Sequence, residues 1–126
     1  MTAYHEIYLR PLGERFDVVV DLERILCVRF DRTPWNGFVA GASIDGEVAI
    51  EVDDDMRLEN DGDIPFEDHP WMIVVRNFSR DHVAERQLAD RIYQGLCETG
   101  RYSLFLTLDG GRMIESAIRD DPHLPD

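Results

Sequence analysis

The chain has 126 residues, 44% of them hydrophobic, and its 26 acidic residues against 13 basic ones give a formal net charge of −13 at pH 7. Residues 1–126 are expected to form a single domain, because this length leaves little room for two cores and the apolar content is that of globular proteins. The negative charge repels phosphates and anionic lipids, so binding to nucleic acids or membranes is not expected, whereas a basic protein partner would be attracted. Solubility alone is the alternative explanation of the acidity.

The N-terminal segment MTAYHEIYLR has neither the basic start nor the apolar core of a signal peptide. The longest apolar runs, such as 71–75, are too short to cross a bilayer, and a cytoplasmic location is expected. Cys27 and Cys97 lie in apolar-patterned segments and are expected to be buried, reduced thiols, with a disulfide between them left open.

The first predicted elements are a strand and a segment of ambiguous pattern. Residues 3–10 alternate imperfectly between apolar and polar side chains and predict a strand. Residues 14–28 are compatible with either a helix or a strand. The spacing of their apolar side chains favours a helix over at least 21–28, with Asp21 as the residue that caps its first turn.

A hairpin is predicted after the loop at 32–37. Alternating apolar residues flank Asp45-Gly46, a dipeptide that accepts the positive φ angles of a two-residue type I′ turn. The residues at 40–43 are all small, which predicts that a bulky element, such as a helix, packs closely over the first strand of this hairpin.

The next segment, 53–68, is rich in acidic residues and predicts a long loop. The nearly continuous apolar run at 70–78 is typical of a central strand covered on both faces. Near the end of the chain, alternation at 102–108 and 113–118 predicts a second hairpin, which turns at Asp109-Gly110-Gly111.

Between these strands, residues 81–99 give the clearest helix prediction. Ser79 or Asp81 is expected to cap its first turn, and Gly100 is expected to end it. The predicted buried stripe consists of Val83, Ala84, Leu88, Ile92, Tyr93, Leu96 and Cys97.

The predicted order is therefore β-α-β-β, a long acidic loop, and β-α-β-β again, which is an α+β fold with a weak internal repeat. Hairpins are antiparallel, and two helices suffice to cover one face of about six strands. We expect a mixed or mostly antiparallel sheet of about six strands with both helices on one face. The other face would be partly open, or used for pairing or partner binding. Residues 119–126 are expected to form a loose tail.

No catalytic or metal-binding motif is recognised in the chain. The four histidines lack the spacing of metal ligands, and neither a Gly-rich phosphate loop nor a G-x-S-x-G elbow occurs. The acidic loop fails as an EF-hand, because placing Gly62 at the sixth position puts Arg57 at the first. No cofactor, metal or catalytic residue is therefore predicted, and enzymatic activity is not expected. A loosely bound divalent cation is the weaker alternative to a solvated acidic loop.

Recognition of a protein is the function that the residues favour. Carboxylates combined with apolar anchors can steer a protein toward a basic surface and then hold it there. Core packing is the alternative role for the two tryptophans, Trp35 and Trp71. The predicted partner-binding residues are Asp53, Asp54, Asp55, Glu59, Asp61, Asp63, Phe66, Glu67, Asp68 and Trp35.

The second half of the chain carries a resemblance to a known family. The segment PFEDHPWMIVVRNFSRD, the long helix and RYSLFLTLDGGRMIES, together about residues 64–117, resemble the SitI-type immunity proteins of bacterial polymorphic-toxin systems. The residues that match in outline are Phe66, Pro70, Val75, Arg76, the helix at 82–99 and the strand at 104–108. The resemblance implies a cytoplasmic protein that binds and neutralises a cognate toxin domain, and it carries over no catalytic residue.

Two other classes of function stay open. One is a non-catalytic interaction or self-assembly module, for which a homodimer formed through the sheet is an option. The other is a small-molecule-binding protein or enzyme whose site is formed only in three dimensions.

Overall fold

A computed structural model describes residues 5–13, 16–32, 39–54, 56–60, 62, 64–79, 81–108 and 112–118. Six strands form one sheet in this part of the chain, together with two α-helices, and the predicted α+β fold is confirmed. The elements are β1 (His5–Pro11), α1 (Val18–Leu26), β2 (Ala40–Ile44), β3 (Val48–Asp53), β4 (Trp71–Asn77), α2 (His82–Thr99), β5 (Tyr102–Leu108) and β6 (Arg112–Ala117). The predicted turn Asp109-Gly110-Gly111 and tail 119–126 lie outside the described residues.

The strand order is β2-β3-β4-β1-β5-β6, and all neighbouring strands are antiparallel. Since β4 and β5 are both antiparallel to β1, they run in the same direction on either side of it, and α2 joins them as in a split β-α-β unit. The order β-α-β-β does occur twice along the chain. The two hairpins nevertheless enter the sheet differently, because the first attaches through its second strand, β3, and the second through its first strand, β5.

The sheet has a different cover on each face. One cluster of buried side chains joins both helices to the strand residues that face them, such as Ile7 and Leu9 of β1. The alternate residues point to the other face, where they pack against the loop between β3 and β4. The face expected to be partly open is therefore covered at its middle by the acidic loop. The cluster on this face consists of Tyr8, Ile64, Phe66, Met72, Val74 and Phe105.

The ambiguous segment near the N-terminus forms the helix that its apolar spacing favours, but α1 begins at Val18, three residues before the predicted start, and ends at Leu26, two residues before the predicted end. Asp17 is its N-cap, and its side chain accepts a hydrogen bond from the backbone N–H of Val20. The prediction that Asp21 caps the helix was wrong. Asp21 is 4% exposed and accepts hydrogen bonds from the guanidinium of Arg101 and, at 2.5 Å, from the hydroxyl of Tyr102.

The two cysteines are free, as predicted, and no disulfide joins them. Cys97 is half-buried, whereas Cys27 is exposed, which corrects the expectation that both are buried. The physical reason is that Cys27 ends α1 in the left-handed conformation (φ 56°), and its N–H bonds to the carbonyl oxygen of Glu23.

The predicted first hairpin and the predicted caps of α2 are confirmed. Asp45 and Gly46 have φ angles of 53° and 69°, which are the two positive values that a type I′ turn requires. The side chain of Asp81 accepts a hydrogen bond from the backbone N–H of Ala84, and Gly100 ends the helix at φ 68°.

The buried stripe of α2 differs from the predicted one at its first turn. Val83 is 69% exposed, whereas Glu85 is completely buried. Two residues along a helix correspond to opposite sides of it, so the helix turns a carboxylate inward where hydrophobicity alone would place the valine. The buried residues of the stripe are Glu85, Ala89, Ile92, Tyr93 and Leu96.

At Gly95, α2 packs closely against Ile25 of α1. A Cβ atom added there would lie 2.7 Å from Cγ1 and 2.8 Å from Cδ1 of Ile25. Alanine gains about 1 kcal/mol over glycine in helix propensity, but overpacking costs about 1–3 kcal/mol. We expect Gly95→Ala to lower the free energy of unfolding in urea by about 1 kcal/mol. In an Ile25→Ala background the same change should instead raise it, and stabilisation in both backgrounds would contradict the packing assigned here.

Candidate functional site

The loop between β3 and β4 is closed by hydrogen bonds between its own residues. Asp53 pairs with Met72 at the point where the two strands separate. The N–H of Met56 then bonds to the carbonyl oxygen of Pro70 at 2.9 Å, which closes the base of the loop. Farther out, the N–H of Glu67 donates to Oδ1 of Asn60 at 2.9 Å, which joins the outgoing and returning limbs. These bonds give a long connection a defined path across the sheet.

Phe66 anchors this loop to the second face of the sheet. Its ring packs edge-on against Tyr8, at 4.9 Å between centroids, and against Phe105, at 5.6 Å, while Tyr8 and Phe105 stack at 5.3 Å. Phe66 is only 5% exposed. The prediction of Phe66 as an apolar contact for a partner is therefore corrected, because its side chain is part of the core.

His69 makes a second attachment between the loop and the sheet. Its Nδ1 lies 2.9 Å from the carbonyl oxygen of Pro65, and its Nε2 lies 2.9 Å from Oγ of Ser103 on β5. A carbonyl oxygen only accepts, so Nδ1–H donates to Pro65, and Nε2 of the neutral ring accepts from the hydroxyl of Ser103. His69 is 1% exposed, and burial lowers its pKa below the ordinary 6.5, although the bond to Pro65 opposes this shift.

The three groups Ser103, His69 and Pro65 are arranged like a nucleophile, a base and the group that orients the base. Ser103 and His69, however, are 0% and 1% exposed. A substrate cannot reach the serine hydroxyl in this conformation, and the arrangement acts as a tie between the loop and β5.

The buried His69 should make stability depend on pH. Because its pKa is lowered in the folded state, the unfolded chain binds more protons from about pH 6.5 down to the folded pKa. The contribution of neutral His69 to the free energy of unfolding is therefore complete above about pH 6.5, and it is lost as the pH falls through that window. We expect His69→Gln to reduce the slope of unfolding free energy against pH between 5 and 6.5, measured in urea.

The matched control for this prediction is His82→Gln, since His82 is an exposed histidine at the start of α2. That variant should keep the slope of the original protein. Equal slopes in both variants would show that His69 is not the group responsible.

The outer side of the loop carries the carboxylates that sequence analysis selected. Asp54, Glu59, Glu67 and Asp68 are exposed, and we call these four side chains the acidic surface. Asp53 is half-buried at the end of β3. Arg57 is the exposed basic residue in the described part of the loop, so the negative charge predominates there. The other predicted contact residues, Asp55, Asp61, Asp63 and Trp35, lie outside the described residues.

Two acidic side chains near the loop are buried instead. Glu51 is 6% exposed, and its Oε1 lies 3.3 Å from Nε of Arg76 on the adjacent strand. Glu6 is 7% exposed and accepts a hydrogen bond of 2.7 Å from the hydroxyl of Tyr8. Both lie on the second face of the sheet. The pairing of β3 with β4 brings Arg76 to Glu51, whereas Tyr8 lies two residues along β1 from Glu6.

A cavity of about 340 Å³ opens where the loop leaves β3 and returns to β4. Trp71, at the start of β4, packs edge-on against Phe16 at 5.8 Å between ring centroids. This cavity was not predicted from the sequence, because Phe16 and Asp17 precede α1 and are distant in sequence from Asp54 and Trp71. The only local signal was the choice left open for Trp71 between an anchor and a core role.

The described residues contain neither a cluster of metal ligands nor a membrane-spanning helix. These residues contain no group of three or more histidine, cysteine, aspartate or glutamate side chains placed to hold a metal ion. Of the two helices described, neither is both long and apolar enough to cross a bilayer.

Comparison of the chain with protein-family models, curated proteins and solved structures found no match. The resemblance to SitI-type immunity proteins therefore stays a prediction, and the functional argument depends on the geometry of the acidic surface.

Proposed function

We propose that the chain is an immunity-type protein that binds a basic toxin domain through the acidic surface and thereby neutralises it. The observation that carries this proposal is the division of the loop into two sides. Ile64, Phe66 and His69 are buried against the sheet, while the carboxylates of the acidic surface point to solvent. A loop held in this way offers its charges to a partner without first having to be ordered.

The net charge of −13 gives the mechanism of encounter. Complementary charge speeds diffusional association by about 10- to 1,000-fold, and the gain falls as salt screens it. A loop that is already ordered also avoids much of the entropy cost of binding. Both effects favour rapid capture of a basic toxin domain, which is the property that a neutralising protein needs.

The first test is co-expression with the protein encoded beside this chain. The proposal predicts that cells survive expression of that protein only when this chain is present, and that the two proteins elute together in gel filtration. Failure of rescue together with the absence of a complex would overturn the proposal.

The second test locates the contact with two variants of equal net charge. Glu59→Gln/Glu67→Gln neutralises part of the acidic surface, and Glu47→Gln/Glu98→Gln neutralises exposed carboxylates on other elements. The first variant should slow association with the partner about tenfold at low salt and flatten its salt dependence. The second should change association much less, and equal effects would mean that only the net charge matters.

A further inference from the structure

The cavity at the base of the loop combines aromatic walls with charged edges. Trp71 and Phe16 form an edge-on pair that lines it, and Val39 lies beside them. Among the described residues, the charged ones that line it are Asp17, Asp54 and Arg32, all of them exposed. Its volume of about 340 Å³ is sufficient for one long side chain.

The position of the cavity connects it to the acidic surface. Asp53 pairs with Met72, so Asp54 and Trp71 are the next residues along the two diverging strands. Asp54 belongs to the acidic surface and also lines the cavity. A partner that contacts Asp54 would therefore touch both the acidic surface and the cavity, although Trp71 packs with the helix-side cluster and Phe66 packs on the opposite face of the sheet.

An arginine already lies at one edge of this cavity. Nη2 of Arg32 is 3.4 Å and 3.3 Å from the two carboxylate oxygens of Asp17. Both side chains are about half exposed, at 53% and 47%, so this ion pair contributes little and can be exchanged. Among the described residues, no hydrogen bond or ion pair engages the carboxylate of Asp54. The described residues that line the cavity therefore provide two carboxylates and one guanidinium, which leaves one of these carboxylates for a second cation.

We infer that this cavity receives an arginine side chain of the protein partner, an inference that rests on the proposed function and specifies its contact. A guanidinium is planar, stacks on aromatic rings and binds a carboxylate through two donors, whereas an ammonium does neither as well. Trp71 and Phe16 provide the rings, and Asp54 provides the carboxylate. A buried arginine in such a pocket is a frequent centre of binding energy in protein interfaces.

The inference can be tested on the full chain without the partner, with N-acetyl-arginine-N′-methylamide as the probe in an NMR titration. We expect saturable shifts of the Trp71 indole N–H and of the amides of Val18, Val19 and Asp54. The lysine analogue should bind several-fold more weakly, and the norleucine analogue should cause no such shifts. Absence of saturable shifts at these residues, or equal responses to arginine and either analogue, would overturn the inference.

Two variants locate the probe within the cavity. Asp54→Asn should weaken probe binding about three- to tenfold, whereas Glu98→Gln, an exposed change on α2, should leave it unchanged. Equal effects of the two variants would mean that the probe responds to the general negative charge and would contradict the inference.

The outcomes for the cavity and for the proposed function are separate. Rescue of cells by a chain whose cavity does not bind the arginine probe would overturn only the inference. Probe binding without rescue or a complex would overturn only the proposed function.

In the complex, Asp54→Asn should speed dissociation several-fold, whereas Glu59→Gln/Glu67→Gln should mainly slow association, because a desolvated contact acts after encounter.

Discussion

Replacing Glu85 with alanine is expected to lower the free energy of unfolding by about 3–5 kcal/mol, a large part of the stability of a domain of this size. Glu85 is completely buried at the first turn of α2. Its Oε1 lies 2.7 Å from Nδ1 of His5 on β1, and its Oε2 accepts the N–H of Asn77 on β4 at 3.3 Å. Alanine would leave two buried polar groups without their carboxylate and open a void between helix and sheet.

The measurement is urea unfolding followed by circular dichroism, with Glu98→Ala as the control. Glu98 is an exposed carboxylate on the same helix, so the control makes the same chemical change without removing a buried contact. We expect the control to change stability by less than about 0.5 kcal/mol. A loss for Glu85→Ala no larger than that of the control would show that the buried contact to His5 does not hold α2 on the sheet.

The second large effect is expected for Phe66→Ala, which should cost about 3–5 kcal/mol. The change removes the ring that packs against Tyr8 and Phe105 and leaves a void under the acidic loop. Amide hydrogen exchange should rise at residues 56–69 beyond the change explained by global stability, since the loop loses its anchor. Association with a basic partner should also slow, although no charge has changed.

Leu58→Ala is the control for this prediction, because Leu58 belongs to the same loop and is 36% exposed. Its effect on stability should stay below about 1 kcal/mol. Unchanged exchange at 56–69 in the Phe66→Ala variant would contradict the anchoring role assigned to this ring.

Most elements of the fold could be predicted because their signals are local. The turn at Asp45-Gly46 depends on two φ angles, and the ends of α2 depend on Asp81 and Gly100, which act within one turn of helix. The apolar run of β4 likewise shows directly that both of its faces are covered. Physical chemistry over a few residues was sufficient at each of these places.

Most of the failures involve contacts between distant parts of the chain, and the exposure of Cys27 at the left-handed end of α1 is a local exception. Asp17 and Asp21 are the same residue type four positions apart, and the choice between cap and interior depends on Arg101 and Tyr102, about 80 residues away. Glu85 is turned inward by its partner His5, which lies 80 residues away in the chain. The periodic pattern of apolar residues carries no information about such a contact. Strand order is of the same kind, since alternation shows that a strand exists but not which strand lies beside it.

The features of the candidate site likewise divide into those that the local sequence predicts and those that depend on distant contacts. Composition alone selected the acidic loop, and Glu59, Glu67 and Asp68 are indeed exposed. Composition could not show that Phe66 and His69 face the sheet, because that requires the positions of Tyr8, Phe105 and other strand residues. The cavity beside Trp71 was missed for the same reason.

Amide hydrogen exchange of the chain, alone and in complex with the protein encoded beside it, would show whether a partner binds through the acidic loop. Binding should protect residues 54–69 and the adjoining start of β4, with little change on the solvent side of α1 and α2. Protection confined to the helices, with exchange in the acidic loop unaltered, would contradict the proposed contact.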